Sequence, residues 1–438
     1  MRSLPGGMLA GFATLASALS PIEVKGSKLF LESGQQFFIK GVAYQLTIDD
    51  PLADSNQCTL DAALMKTLGV NSIRVYHVDP TSDHSGCMST FSDAGIYAWI
   101  DLDTFSTYII GSEPAWNQSQ YLAYQKVMDA FANYDNTAGF FVGNEVLNTG
   151  ADSVAAPFVK AAIRDMKAYR DNKGYRAIPV GYSAADIAQL RPNLQNYLAC
   201  GGNSSESTDF FGLNAYEWCG DATYQTSGYS QLEAMTENYS VPIFFSETGC
   251  NTVEPRTFED QAAIFGPDMD GTWSGAIIYE WIQETNDYGL ISYGPPASTG
   301  AGVVDGYTRT GTPTPVSPDF ENLSSQWASL TPSSVSLSAY TPTNSAPACP
   351  AYTSGSWEVS GNVALPTLGA AVTNTAASTT SKGSGSSATA GGTTGPHAST
   401  TGTSTKSSSA ASSTTSGAAV KNQAGAALVV GLAFAVLV

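Results

Sequence analysis

Two glutamates carry the first chemical signal in this chain. Glu145 ends the run GFFVGNE and Glu247 ends VPIFFSE, so each carboxylate closes a short apolar, strand-like stretch. Two carboxylates on one rim are what cleavage of a glycosidic bond needs. One protonates the leaving oxygen, and the other meets the oxocarbenium-like carbon from the opposite face. At a separation of about 5 to 5.5 Å the second carboxylate attacks directly and configuration is retained. Asn144, immediately before the first glutamate, adds an amide able to hold a sugar 2-hydroxyl. A lone Glu after an apolar run is more often a helix N-terminal charge or a salt-bridge partner, and a lone Asn is as readily a turn residue. The weight therefore rests on the pair and on what positions it.

Eight apolar or aromatic runs recur along the chain: QFFIKGVA (36–43), VNSIRVY (70–76), IYAWIDL (96–102), GFFVGNE (139–145), RAIPVGY (176–182), FFGLNAY (210–216), VPIFFSE (241–247) and GAIIYEW (275–281). Segments with helical periodicity lie between them, for example 59–68, 121–134 and 154–169, where Val154, Phe158, Ala161 and Ala162 form one apolar face. Strands alternating with helices over roughly 300 residues predict an α/β fold, a (β/α)8 TIM barrel spanning 19–330, with chemistry at the C-terminal strand ends. The two glutamates then close the fourth and seventh strands. An open doubly wound sheet is the alternative, but it usually brings a Gly-rich phosphate turn after its first strand, and none follows Ala43.

The remainder of the chain bears on location and partners. Residues 1–18 read as a signal peptide: Arg2, an apolar stretch, then Ala16-Ser17-Ala18. Residues 331–367 form a C-terminal extension, and 368–423 are almost entirely Ser, Thr, Gly and Ala, a disordered stalk with too little to bury. Residues 424–438 end in AALVVGLAFAVLV, shorter than the ~20 apolar residues of a membrane span. With Ser416 and Gly417 before it, this tail reads as a signal exchanged for a glycolipid (GPI) anchor at the plasma membrane. The net charge of −19 argues against nucleic acid and anionic lipid and leaves neutral polymers open. Six cysteines suit an oxidising compartment, whereas three histidines and no CxxC pair give little support to zinc. Four sequons, at Asn117, Asn203, Asn238 and Asn322, fit a glycosylated surface.

The strings IRVYHVDP (73–80), GFFVGNEV (139–146), PFVKAAIRDMKAY (157–169), YRAIPVGYS (175–183), FFGLNAYEWCG (210–220) and FFSETGCN (244–251) closely resemble the fungal β-1,3-glucanosyltransferases of glycoside hydrolase family 72, glycolipid-anchored enzymes that remodel the cell wall. The resemblance runs from about residue 21 to 330. It implies Glu145 as acid/base and Glu247 as nucleophile, acting on β-1,3-glucan donor and acceptor chains, with no cofactor and as a monomer. It also implies that Gln45, Tyr76, Asp101, Asn144, Tyr216 and Tyr279 line the glucan cleft. Asp186 and Arg191, placed in a helix after GYS, would contact sugar. The implied disulfides are Cys58 with Cys87, Cys200 with Cys349, and Cys219 with Cys250, which leaves no cysteines for the cysteine-rich glucan-binding module of one family branch. Plain endo-β-1,3-glucanase activity and a non-catalytic glucan-binding surface protein are the competing readings. Thr248, His77 and the loop 104–116 depart from the family pattern. Glu145 is expected to hold the higher pKa, with Glu247 ionised.

Overall fold

A computed structural model describes residues 19–46, 50–300 and 302–369. The signal-peptide expectation, nearly all of the stalk and the apolar tail lie outside these residues.

The eight strands are β1 (Ile39–Ala43), β2 (Ser72–Val75), β3 (Tyr97–Asp101), β4 (Thr137–Asn144), β5 (Val180–Ala185), β6 (Phe211–Asn214), β7 (Ile243–Thr248) and β8 (Trp273–Ile278). All are parallel and pair in sequence order, and β8 pairs with β1 to close the barrel. Strands of this kind are covered on both faces, one by helices and the other by the barrel interior. They therefore read as continuous apolar runs, and every residue of β2, β3 and β6 to β8 is buried. The closing contact needs Gly275: at φ 112° its backbone lies so close to β1 that an added Cβ would sit 2.3 Å from the Ile39 carbonyl oxygen.

Helices α1 (Ser55–Leu68), α2 (Ser85–Asp93), α3 (Gln118–Phe131), α4 (Ala156–Asn172), α5 (Arg191–Ala199), α6 (Tyr229–Thr236) and α7 (Asp260–Ile264) follow β1 to β7 in turn, and α8 (Asp319–Ser329) follows β8. Their starts have local causes. Asp54 caps α1 by accepting from the Asn56 and Gln57 amides, and Asn117 forms a capping box with Gln120 on α3. The predicted 154–169 helix is α4, which begins two residues later and is entered from a 3-10 turn, Gly150–Ala155.

The fifth strand corrects its sequence boundaries. It starts after Pro179, which has no N–H to give the ladder, so the strand is displaced towards its C-terminal end. Asp186 consequently lies on the loop directly after β5 rather than in a helix, and α5 begins only at Arg191, with Pro192 in its first turn.

The N-terminal end of the barrel is plugged. A hairpin of Ile22–Lys25 with Lys28–Leu31 places Ile22 and Leu29 against Phe37, Tyr97, Trp99, Phe210, Phe244 and Ile277 in one buried cluster. Aromatic rings fill the interior, with Trp99 edge-on to Phe210 at 5.2 Å and Phe141 edge-on to Phe210 at 5.0 Å. After α8 the chain doubles back over the barrel. Leu337 N donates to Gly34 O, Asn344 Nδ2 to Tyr239 O, and Gly369 N to Trp116 O. The buried Trp357 packs 5.5 Å from the Tyr197 ring. Disulfides join Cys58 to Cys87, Cys200 to Cys349 and Cys219 to Cys250. The second ties this C-terminal strap to the end of α5.

Candidate active site

The site is organised around a cation that the motif reading passed over. Arg74, in the middle of β2, is fully buried at 0% exposure, with its guanidinium 4.4 Å from the centre of the Phe141 ring below and 4.3 Å from that of Tyr76. Nε and Nη2 form a fork on Asp101 at 3.1 and 2.9 Å. Nη1 donates to Glu247 Oε1 at 3.3 Å, to Ser183 Oγ at 3.1 Å and to the Ser246 carbonyl at 3.2 Å, while Nη2 also reaches Asn144 Oδ1 at 2.9 Å. A planar five-donor group suits this task, and a single ammonium could not serve all of these acceptors.

Asp101 is only 1% exposed beneath this fork. The expectation that it lines the cleft is therefore corrected: both of its oxygens face Arg74, and it acts on the site through that residue.

The two glutamates meet through a shared network. Asn214, at the end of β6, donates from Nδ2 to Glu145 Oε1 at 2.8 Å and to Asn144 Oδ1 at 3.0 Å. Its own Oδ1 accepts from Ser183 Oγ and Ser246 Oγ at 2.9 and 2.8 Å, which fixes the amide's orientation. Since Asn144 Oδ1 takes both Arg74 and Asn214, its Nδ2 is the end turned away from them. Gly212 permits the close approach of β6 and β7 below, because a Cβ there would fall 2.6 Å from Ser246 Oγ. Glu247 is 7% exposed; Arg74 holds Oε1 and the Tyr216 hydroxyl donates to Oε2 at 2.7 Å. Glu145 is more open to solvent. Its backbone stands at φ 49°, a left-handed conformation costing a non-glycine residue about 1 to 3 kcal/mol. Its N–H donates to Ser183 O and its carbonyl accepts from Asn148 Nδ2, so the strain is held from both sides.

Four half-buried tyrosines form one wall. Tyr279 lies edge-on to Tyr76, Tyr216 and Tyr288 at 6.5, 6.4 and 5.4 Å. Gln45 donates from Nε2 to the Tyr279 hydroxyl and to Glu280 Oε2, each at 2.7 Å. Glu280 is fully buried and its other oxygen accepts from Asn286 Nδ2 at 2.6 Å. Asp186 and Arg191 form an ion pair beside Glu217. Partial desolvation of the carboxyl and a hydrogen bond shared with Asp186 push Glu217 upward, and its remaining exposure to solvent limits that shift by screening.

Burial also moves Glu247. Its carboxyl is pushed up to about 7, chiefly by desolvation and further by the nearby Glu145 charge, against the lowering effects of Arg74 and the Tyr216 hydroxyl. Desolvation at the barrel mouth thus opposes the expected ionisation of Glu247, while Arg74 and the Tyr216 hydroxyl favour it. Burial raises Asp260 to about 6 and raises Glu280 as well. Through the range between their ordinary values and these raised ones, the folded chain holds protons that the unfolded chain has released. Stability therefore falls with rising pH. We expect the melting temperature to drop steadily from about pH 5 to about pH 8; a rise over that range in a thermal denaturation series would contradict the assignment.

The family model for glucanosyltransferases, glycoside hydrolase 72, matches residues 12–329. The chain belongs to this glucanosyltransferase family. The 1,3-beta-glucanosyltransferase gas2 of Schizosaccharomyces pombe is 42% identical over 357 residues, which cover 78% of this chain and 74% of that protein. The 1,3-beta-glucanosyltransferase GAS2 of Saccharomyces cerevisiae is 39% identical, over 77% of this chain and 61% of its own length. A Saccharomyces cerevisiae Gas2p structure, a glutamate-to-glutamine mutant in complex with laminaritetraose and laminaripentaose, superposes with a TM-score of 0.71 at 39% identity, covering 79% of this chain and 74% of that one.

Within this glucanosyltransferase fold, the structure gathers Glu145, Glu247, Asn144, Gln45, Tyr76, Tyr216 and Tyr279 at one barrel mouth, with Asp186 on the loop after β5 and Arg191 at the start of α5. Arg74, Asn214, Glu280 and Tyr288 join them without having been singled out. Arg74 and Glu280 left a readable trace, each as the single charged residue inside its run, VNSIRVY and GAIIYEW, and Asn214 lies inside FFGLNAY. Thr248, one of the departures, is buried on β7 with its hydroxyl 3.3 Å from that of Tyr229. Among the described residues no group of three or more His, Cys, Asp or Glu side chains is arranged to hold a metal.

Proposed function

We propose that the chain is a retaining β-1,3-glucanosyltransferase in which Glu247 is the nucleophile and Glu145 the acid/base. The observation that carries this reading is the Arg74–Asn144–Asn214 bridge, which binds both carboxylates into one network while leaving Glu145 the more accessible. Ionised Glu247 attacks the anomeric carbon of an internal glucan linkage as Glu145 gives its proton to the departing glycosidic oxygen. The bond from sugar to leaving chain breaks and an ester to Glu247 forms. Glu145, now a carboxylate, takes the proton of the 3-hydroxyl at the non-reducing end of a second chain. That oxygen displaces Glu247 and the acceptor is elongated. The contacts on Asn144 Oδ1 leave Nδ2 for a sugar, which supports a role in holding the 2-hydroxyl, and the tyrosine wall offers apolar ring faces with polar tips, matching a pyranose. Gln45 is held at this wall, and the Asp186–Arg191 pair marks a further polar subsite.

The setting we propose is the outer surface of a fungal cell. Three disulfides support an oxidising compartment. Asn203 and Asn238 are exposed and suited to glycosylation, whereas Asn322 turns its Nδ2 inward to the Arg256 carbonyl. The apolar run at 426–438 supports a glycolipid anchor.

Incubation with a reduced laminari-oligosaccharide tests the reading. We expect products longer than the substrate. Shorter products alone would make the chain an endo-glucanase, and glucan binding without turnover would make it a surface lectin.

A further inference from the structure

His77 and the loop after β3 both depart from the family pattern, and in the structure the two departures touch. Thr104 and Thr107 exchange backbone hydrogen bonds at 2.9 and 3.1 Å, making a tight turn with Phe105 and Ser106 at its tip. The Phe105 ring stacks on His77 at 4.5 Å and 26°, yet Phe105 remains 65% exposed. His77 directly follows Tyr76, the tyrosine that covers Arg74 and meets Tyr279 edge-on. His77 follows the C-terminal end of β2 and Phe105 that of β3, so the Phe105 face lies on the same barrel mouth as the two carboxylates. Tyr108 and Ile110 are further exposed apolar side chains on the same loop.

We infer that Phe105, seated on His77, is a further glucan subsite that stacks on a pyranose ring beyond the sugars held at the tyrosine wall. This rests on the glucan reading above. A sugar ring is the fitting occupant because the platform stands on the same barrel mouth as the cleft and an aromatic face matches the apolar C–H face of a neutral pyranose. A few side chains on one turn cannot supply the ~800 Å² that each partner of a stable protein interface buries. Docking on His77 holds the ring in place before ligand arrives, which limits the ordering cost of binding.

The test is steady-state kinetics of the full chain and its Phe105→Ala and Phe105→Trp variants on laminari-oligosaccharides of about three to ten sugars. For Phe105→Ala the ratio of KM on long chains to KM on short chains is expected to rise roughly two- to tenfold, with kcat on long chains little changed. Phe105→Trp, which keeps an aromatic face, is expected to stay near the wild-type ratio. A ratio unchanged in Phe105→Ala, or a KM raised equally at every length, overturns the subsite. A wild-type chain inert on every oligosaccharide defeats the glucan reading itself and is distinguishable from either result.

Discussion

Glu247→Gln is expected to lower kcat for both cleavage and transfer by at least about 10⁴-fold, because the amide cannot form the glycosyl ester through which both outcomes pass. The substitution keeps the side chain's shape, so Arg74 and Tyr216 stay in place, and it removes a buried carboxylate that burial already disfavours. Thermal stability should hold or increase. Glu145→Gln is expected to cost about 10²- to 10⁴-fold on natural linkages, the usual range for a positioned proton donor. Its loss should shrink on a glycoside whose leaving group departs without protonation, since only the first step then escapes the need for an acid. A leaving-group series separates the two roles: Glu247→Gln should be insensitive to it and Glu145→Gln strongly sensitive. Full turnover in either variant would contradict the assignment.

The second large effect belongs to Arg74. Arg74→Ala leaves Asp101 dry with no counter-charge, so that burial, which already raises its pKa, drives it to take up a proton, and loss of one partner from a buried pair costs about 3 to 5 kcal/mol. Arg74→Lys keeps the charge but not the fork. It is expected to hold more of the stability while losing about 10²-fold in kcat, because Glu247 and Asn144 are no longer both held and a displacement of about 1 Å is costly at a reacting centre. Glu247 should also become harder to ionise, since Arg74 is the chief influence opposing its burial, and the acid limb of kcat/KM should move to higher pH. Urea denaturation and pH–rate profiles read the two effects separately. An Arg74→Ala chain with wild-type stability would show that the buried fork is not needed.

These residues also mark where sequence reasoning succeeds and where it stops. All eight strands were legible because strands covered on both faces must be apolar throughout, which makes each a visible run. The carboxylates were legible because they interrupt such runs at the ends where barrel chemistry sits. Other features depend on which strands become neighbours in space. Asp101 stands one residue before the end of its run, close to the position the glutamates take in theirs, and only the position of Arg74 on the adjacent strand shows that it faces inward to a cation. Asn214 sits inside a quoted motif, but its role comes from meeting Asn144 and Glu145 across the barrel. The pKa of Glu247 is set by how completely the mouth excludes water, a property of packing that no short string encodes. Pro179 was a visible cue to the later start of β5, and with it to the true place of Asp186.

The central claim is a covalent bond between sugar and Glu247. A laminari-oligosaccharide donor carrying fluorine at C2 and a good leaving group should form that bond quickly and release it slowly. After digestion, mass spectrometry should find the glycosyl mass on the peptide containing Glu247, and the adduct should disappear when a laminari-oligosaccharide acceptor is added. A label on any other residue, or turnover of the donor with Glu247 never modified, would contradict the account.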